Sequence, residues 1–313
     1  MTVKERRKNL HKASFLNLDD VRKIVFLFFL GALTSCRSLE LDPEDRSHAP
    51  TILRIGHGGM GFSSFLPWNP YPINSMTSLK TAMETHMADG LEVDLRMTKD
   101  QKFVLYHDRT LASATALDSC VELCNYKDLI ELQYELGFPF DWFQKERIIG
   151  LEEFIHYLKM LDAFPHLHID MRVHSPCLSG EENGQLESTY FNRLTAVLDS
   201  MQVPSEKVIL NTYVRDLLAK ESKKGIKYPL SLELFQEPEE GLTFAKKYDI
   251  PWLTLKPEIL SQEFCQKART QGVRIITFGG NSLSGNKQLV SEQADAIQSN
   301  NLKELNRLLL PIQ

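Results

Sequence analysis

The sequence is poor in cysteine and, over most of its length, in positive charge. Only five cysteines occur in 313 residues, and the C-x3-C pair Cys120 and Cys124 has no nearby Cys/His pair to complete a zinc site. Residues 1–23 carry seven Lys/Arg against three Asp/Glu, which leaves 29 basic and 38 acidic residues after them. That acidic body lacks the electrostatic footprint of a nucleic-acid-binding domain, and no nucleic-acid partner is expected. It still admits phosphate esters if a metal ion supplies positive charge locally. No apolar run is long enough to span a bilayer comfortably. Internal repeats and long low-complexity tracts are absent too.

The main apolar run, Ile24–Leu33, follows Arg22-Lys23 and leads into Leu33-Thr34-Ser35-Cys36. Its length and basic flank fit the h-region of a signal peptide. Leu, two small residues and Cys resemble the bacterial lipoprotein box, in which the cysteine is acylated and becomes the mature N-terminus. Residues 1–35 are therefore expected to be a lipoprotein signal peptide and Cys36 the lipidation site. The protein would be extracytoplasmic and anchored to a membrane through Cys36, at the periplasm or the cell surface. A short uncleaved anchor is the alternative. Residues 36–50 hold Asp42-Pro43-Glu44-Asp45 and Pro50 with little apolar content, and read as a tether. Export permits disulfides, so Cys120, Cys124, Cys177 and Cys265 are expected to be free or locally paired, with Cys120/Cys124 able to close a short loop.

From Thr51 onward, short β-like runs alternate with longer helical patterns. Eight strands are expected, centred on 52–56, 91–95, 167–171, 207–210, 229–232, 252–255, 273–277 and 295–298. Helical patterns cover 78–87, 151–161, 186–201, 239–248 and 258–271. The length and the eight units predict an α/β fold, a (β/α)8 TIM-type barrel over 51–313. An open doubly wound sheet is the alternative, because periodicity does not report closure. Residues 97–150 break the rhythm with a hairpin partner, Phe103–Tyr106, and a long excursion, an insertion after the second strand.

Strand one runs into Ile55-Gly56-His57-Gly58-Gly59, and strand two carries Glu92-Val93-Asp94. Period-two alternation puts both carboxylates on one face. Like charges so close are costly unless a cation bridges them. The following turn brings back His107-Asp108, and strand three supplies His168-Ile169-Asp170-Met171-Arg172. Taken singly, a strand-end His is usually a hydrogen-bonded rim residue and an E-x-D pair a solvated strand face. Together, in this order, they suit Mg2+ or Ca2+ better than zinc.

In these motifs the chain resembles the glycerophosphodiester phosphodiesterase family. The family's His-Arg-Gly, Glu-x-Asp, Thr-Lys-Asp-Gly and His-Asp read here His57-Gly58-Gly59, Glu92-Val93-Asp94, Thr98-Lys99-Asp100-Gln101 and His107-Asp108. Its Ile-Pro-Thr-Leu-Glu-Glu is similar to Ile148-Ile149-Gly150-Leu151-Glu152-Glu153, and its Glu-x-Lys to Asp170-Met171-Arg172. The resemblance implies one divalent metal ion, Mg2+ or Ca2+, held by Glu92, Asp94 and Asp170. It also implies His57 and His107 as general acid and base, and Arg172 as the phosphate contact.

The resemblance further implies metal-dependent hydrolysis of a small-molecule glycerophosphodiester or related lipid headgroup ester. The alternatives are a phospholipase D-like or cyclising variant, or a non-catalytic surface binding protein on the same barrel. Four departures alter the expected pocket. Gly58 stands for the family's Arg and Ile73 for its Glu, Thr277-Phe278 replace Trp-Thr, and Ser299-Asn300 replace Thr-Asp. An Arg and a carboxylate lost together fit a pair that normally meets.

Overall fold

The computed structural model describes residues 51–310, apart from 63, 66, 67 and the side chain at 64. The expected signal peptide, tether and Cys36 lie outside the described residues. No described helix is long and apolar enough to cross a membrane.

Eight parallel strands close a ring: β1 Leu53–His57, β2 Gly90–Met97, β3 His166–Met171, β4 Val208–Thr212, β5 Leu230–Leu234, β6 Trp252–Leu255, β7 Arg274–Gly279 and β8 Ala296–Ser299. Each pairs with the next, and β1 pairs with both β2 and β8. The last pairing removes both sheet edges and excludes the open sheet. Around the ring lie α1 Met76–Lys80, α2 Leu151–Lys159, α3 Gly180–Ser200, α4 Arg215–Ser222, α5 Pro238–Lys247, α6 Gln262–Thr270, α7 Leu283–Ser291 and α8 Leu302–Leu309. A π-helical turn, Thr81–Thr85, continues α1.

Alternation along β2 sorts its side chains. Leu91, Val93 and Leu95 join the outer core between strands and helices, whereas Glu92 faces the barrel's pocket. Ile55, Ile209, Trp252, Ile276 and Ala296 form a separate apolar cluster of strand residues. Such a packed plug is the usual content of a barrel interior, and it leaves the strand ends for chemistry.

The excursion after β2 is confirmed as an insertion with its own structure. Phe103–Leu105 pairs antiparallel with β2, and Ile149–Gly150 pairs antiparallel with Phe103–Leu105. Val104, Tyr106, Leu111, Val121, Leu129, Tyr134 and Ile148 build its small core. Here one expectation is corrected: Cys120 pairs with Cys177, not with Cys124. Cys124 instead faces Ser119 Oγ at 3.5 Å. A contact 57 residues apart has no local signal, since the two thiols meet only because the barrel returns β3 beside β2. The bridge fastens the insertion to the loop after β3, and the buried Arg96–Glu122 ion pair at 2.9 Å ties it to β2.

Candidate active site

Parallel register places Asp94 directly opposite Asp170, and Glu92 opposite His168. All three carboxylates are buried. One oxygen from each lies within 4.8 Å of the others. Asp94 is held on both sides. Asn74 Nδ2 donates to Asp94 Oδ2 at 2.8 Å, and Asn74 Oδ1 accepts from the Asp94 backbone N–H at 3.1 Å. Arg172 Nε and Nη2 donate to Asp94 Oδ1 at 2.9 and 2.5 Å, and Nη2 also meets Asp170 Oδ2 at 2.8 Å. Arg172, expected to contact phosphate, is thus first a partner of two carboxylates, though it also lines the open pocket.

Burial pushes the pKa of all three carboxyls up, but their surroundings separate them. For Asp94 the Arg172 charge, then His107, overcomes burial and holds the group well below the usual carboxylate range. Glu92 goes the other way: burial, then the charges of Asp94 and Asp170, push it well up. Asp170 is also raised, by burial and by Asp94 against the pull of Arg172. Three close carboxylates facing one guanidinium leave negative charge unmatched. Hard oxygen donors in that state fit a divalent cation such as Mg2+ or Ca2+.

The two histidines are tuned in opposite directions. His57, at the end of β1, is pushed down to about 4, chiefly by burial. Its Nε2 lies 3.8 Å from Glu92 Oε2, and its Nδ1 has no hydrogen-bond partner among the described residues. The Asn300 side chain stands near the ring and pulls slightly the other way. His107 is also partly buried, yet the hydrogen bond of its Nδ1 to Asp108 Oδ1, 2.7 Å long, raises it above the ordinary histidine value. Ser113 Oγ donates to Asp108 Oδ2 and fixes that carboxylate in turn. With Nδ1 engaged, Nε2 of His107 is the nitrogen left for a substrate.

Gly58 explains how β1 turns toward the carboxylates. Its φ of +54° lies in the left-handed region, its N–H donates to Glu92 Oε2 at 2.8 Å, and its carbonyl accepts from Asn74 N–H at 2.9 Å. His57 and His107, Glu92, Asp170 and Arg172 all border one pocket of about 380 Å³. Phe62 touches both imidazoles edge-on, with ring centroids 5.6 Å from His57 and 5.4 Å from His107. Every expected site residue among those described therefore meets at one end of the barrel.

Sequence reasoning missed Glu233, Asn211 and Phe62 as members of this pocket. Glu233 is pushed up to about 8, by burial first and then by Asp170. Its signal was available: Leu232-Glu233-Leu234 puts one carboxylate between two outward leucines on a strand. His168, by contrast, is fully buried, pushed down to about 3 by burial, and faces Gln298 Nε2 at 3.2 Å.

Comparison with known proteins agrees with this geometry. The model of the glycerophosphoryl diester phosphodiesterase family matches residues 61–304. A curated relative, the probable glycerophosphodiester phosphodiesterase 2 of Mycobacterium tuberculosis, is 33% identical over 131 residues. That alignment covers 40% of this chain and 42% of the relative, so it spans under half the relative's length. Among solved structures, a glycerophosphodiester phosphodiesterase of Galdieria sulphuraria described as putative superposes with a TM-score of 0.69 at 20% identity. The overlap covers 85% of this chain and all of that one. An Oleispira antarctica phosphodiesterase, solved with the product sn-glycerol-3-phosphate, gives 0.68 at 18% identity over 84% of this chain and 98% of its own. At these identities the superpositions establish the shared barrel.

Proposed function

The chain belongs to the glycerophosphoryl diester phosphodiesterase family, and we propose that it hydrolyses glycerophosphodiesters or related lipid headgroup esters with the aid of one divalent ion. The observation that carries this reading is the facing pair Asp94 and Asp170, with Glu92, beneath two histidines tuned in opposite directions. Glu92, Asp94 and Asp170 would hold the ion, which when bound supplies positive charge that polarises a phosphate oxygen.

The remaining chemistry belongs to the side chains. His57, neutral over most of the physiological range, accepts a proton from the attacking water as its oxygen bonds to phosphorus. His107, raised by its hydrogen bond to Asp108, gives a proton from Nε2 to the departing alcohol oxygen as the P–O ester bond breaks. One water is consumed, one alcohol and one phosphomonoester leave, and the proton passes from one imidazole to solvent and from solvent to the other. Arg172, held by two carboxylates, presents its remaining face to the pocket and orients a phosphate.

The lipoprotein reading of residues 1–36 belongs to the same proposal, placing the enzyme at a membrane through Cys36. Its support is the basic flank, the ten-residue apolar run and the Leu33–Cys36 box. Release of sn-glycerol 3-phosphate from a panel of glycerophosphodiesters tests the function, with analysis for cyclic phosphate to separate hydrolysis from cyclisation. No turnover on any member, with or without Mg2+ or Ca2+, would overturn it.

A further inference from the structure

A second cavity, of about 240 Å³, opens beside His107. It shares Phe62 and His107 with the larger pocket, so a ligand bound at the histidines could extend into both. The walls differ. The larger pocket is charged, with Arg172, Glu233 and Lys256. The smaller is mostly apolar, with Pro72, Ile73, Tyr106 and Leu136 among its lining residues and Asp108 and Ser113 beside His107. Where the resemblance expects an Arg–Glu pair, this side of the site has Gly58 packed on Ile73.

Two further observations say what could fill it. Tyr134 lines the cavity at 6% exposure, and its hydroxyl has no hydrogen-bond partner among the described residues. A buried hydroxyl left unpaired is costly, and a ligand carbonyl would satisfy it. Both segments that line this cavity continue in sequence to a cluster of aromatic rings, three of them exposed. Phe62 precedes Phe65 and Trp68, and Leu136 precedes Phe140 and Phe143. These four rings touch one another, with Trp68 centred 5.5 Å from Phe140 and 5.2 Å from Phe143. Phe65 is 59% and Phe143 57% exposed, an apolar patch beyond what a free surface needs.

We propose that the smaller cavity is a subsite for an ester-linked acyl chain on the substrate's glycerol, so that the preferred substrates are monoacyl glycerophosphodiesters. This inference rests on the phosphodiesterase reading and deepens it. The phosphate sits at the histidines and the polar headgroup lies toward Arg172 and Glu233. The acyl carbonyl accepts from Tyr134, and the chain runs past Leu136 toward the aromatic rings.

Calorimetric binding to the full chain tests it without requiring turnover. The ligands are sn-glycero-3-phosphocholine, its short-chain monoacyl ester below the micelle threshold, and the matching alkyl ether. The monoacyl ester should bind at least about tenfold more tightly than the deacylated compound, from the buried chain alone. Tyr134→Phe, which keeps ring packing, should weaken the ester several-fold and leave the ether unaffected. Leu136→Asp, or Leu136→Trp if the first fails to fold, should erase the preference for both acylated ligands. Equal affinity for the acylated and deacylated ligands, or a preference indifferent to both Leu136 and Tyr134, overturns the subsite. Hydrolysis of all three ligands with equal affinity would remove the subsite alone. Selective binding without hydrolysis would remove the phosphodiesterase reading alone.

Discussion

A side chain added at Gly58 would put its Cβ 2.7 Å from the Cβ of Ile73, so two of the positions that depart from the family pattern are in direct contact. Gly58 also adopts a left-handed backbone while its N–H holds Glu92. Gly58→Ala should therefore destabilise the fold by roughly 1–3 kcal/mol, the range for a non-glycine residue held at such a φ. Adding Ile73→Gly, which removes the Cβ that the new side chain would meet, should recover part of that loss. Denaturant unfolding of both single variants and the double measures it. Full additivity would show that the two positions do not communicate.

The opposed histidines set a pH profile. Activity needs His57 neutral, so log kcat/KM should rise on the acid side through about pH 4. It also needs His107 protonated, so the alkaline limb should fall only above the ordinary histidine value, His107 being raised. Asp108 supplies the leading upward pull on His107. Asp108→Asn should therefore move the alkaline limb to lower pH and leave the acid limb where it is. A shift of the acid limb instead would reverse the proposed roles.

Glu92 and Asp94 should respond differently to neutralisation when no ion is bound. Glu92 gains its upward shift from burial and from two neighbouring carboxylates, so Glu92→Gln relieves repulsion and should raise the melting temperature by a few degrees. Asp94 is paired with Arg172 and Asn74, so Asp94→Asn removes the charge that Arg172 Nε meets, leaves Asp170 as its remaining carboxylate partner, and should lower it. Both changes should abolish turnover. Scanning calorimetry of the metal-free proteins distinguishes the two signs.

Removing the Cys120–Cys177 bridge should cost about 2–4 kcal/mol. Cys120→Ser with Cys177→Ser releases the insertion from the loop that follows Asp170 and Arg172. Turnover should therefore fall with stability, whereas Cys124→Ser should change neither. Peptide mapping under non-reducing conditions checks the pairing itself.

The lipoprotein proposal predicts that fatty-acid labelling in a bacterial expression host tags the protein, and that Cys36→Ala abolishes the tag. A mature protein that keeps residues 1–35 and carries no lipid would refute the anchor.

Much of this was legible in the sequence because barrel strands carry their own punctuation. The ends of the eight expected strands sit within two residues of those observed, and Glu92, Asp94, Asp170, His57 and His107 converge as their strand ends require. Closure was not legible, since it depends on β1 meeting β8, a pairing without a local pattern. Helix α3 begins six residues earlier than its apolar spacing suggests. Its first turns are polar, and the capping box of Ser179 and Glu182 was the signal to read. The role of Arg172 was half legible. The family resemblance pointed to phosphate, but only the register of β2 and β3 brings Asp94 and Asp170 together around it.

The most direct test is to strip divalent ions from the full-length protein, then follow sn-glycerol 3-phosphate release from a glycerophosphodiester as Mg2+ or Ca2+ is added back. Turnover should be near zero in the stripped protein, return with saturable dependence on one ion, and fail to return in Asp170→Asn. Full turnover in the stripped wild-type protein, unchanged in Asp170→Asn, would contradict the assignment of Glu92, Asp94 and Asp170 as the centre of the chemistry.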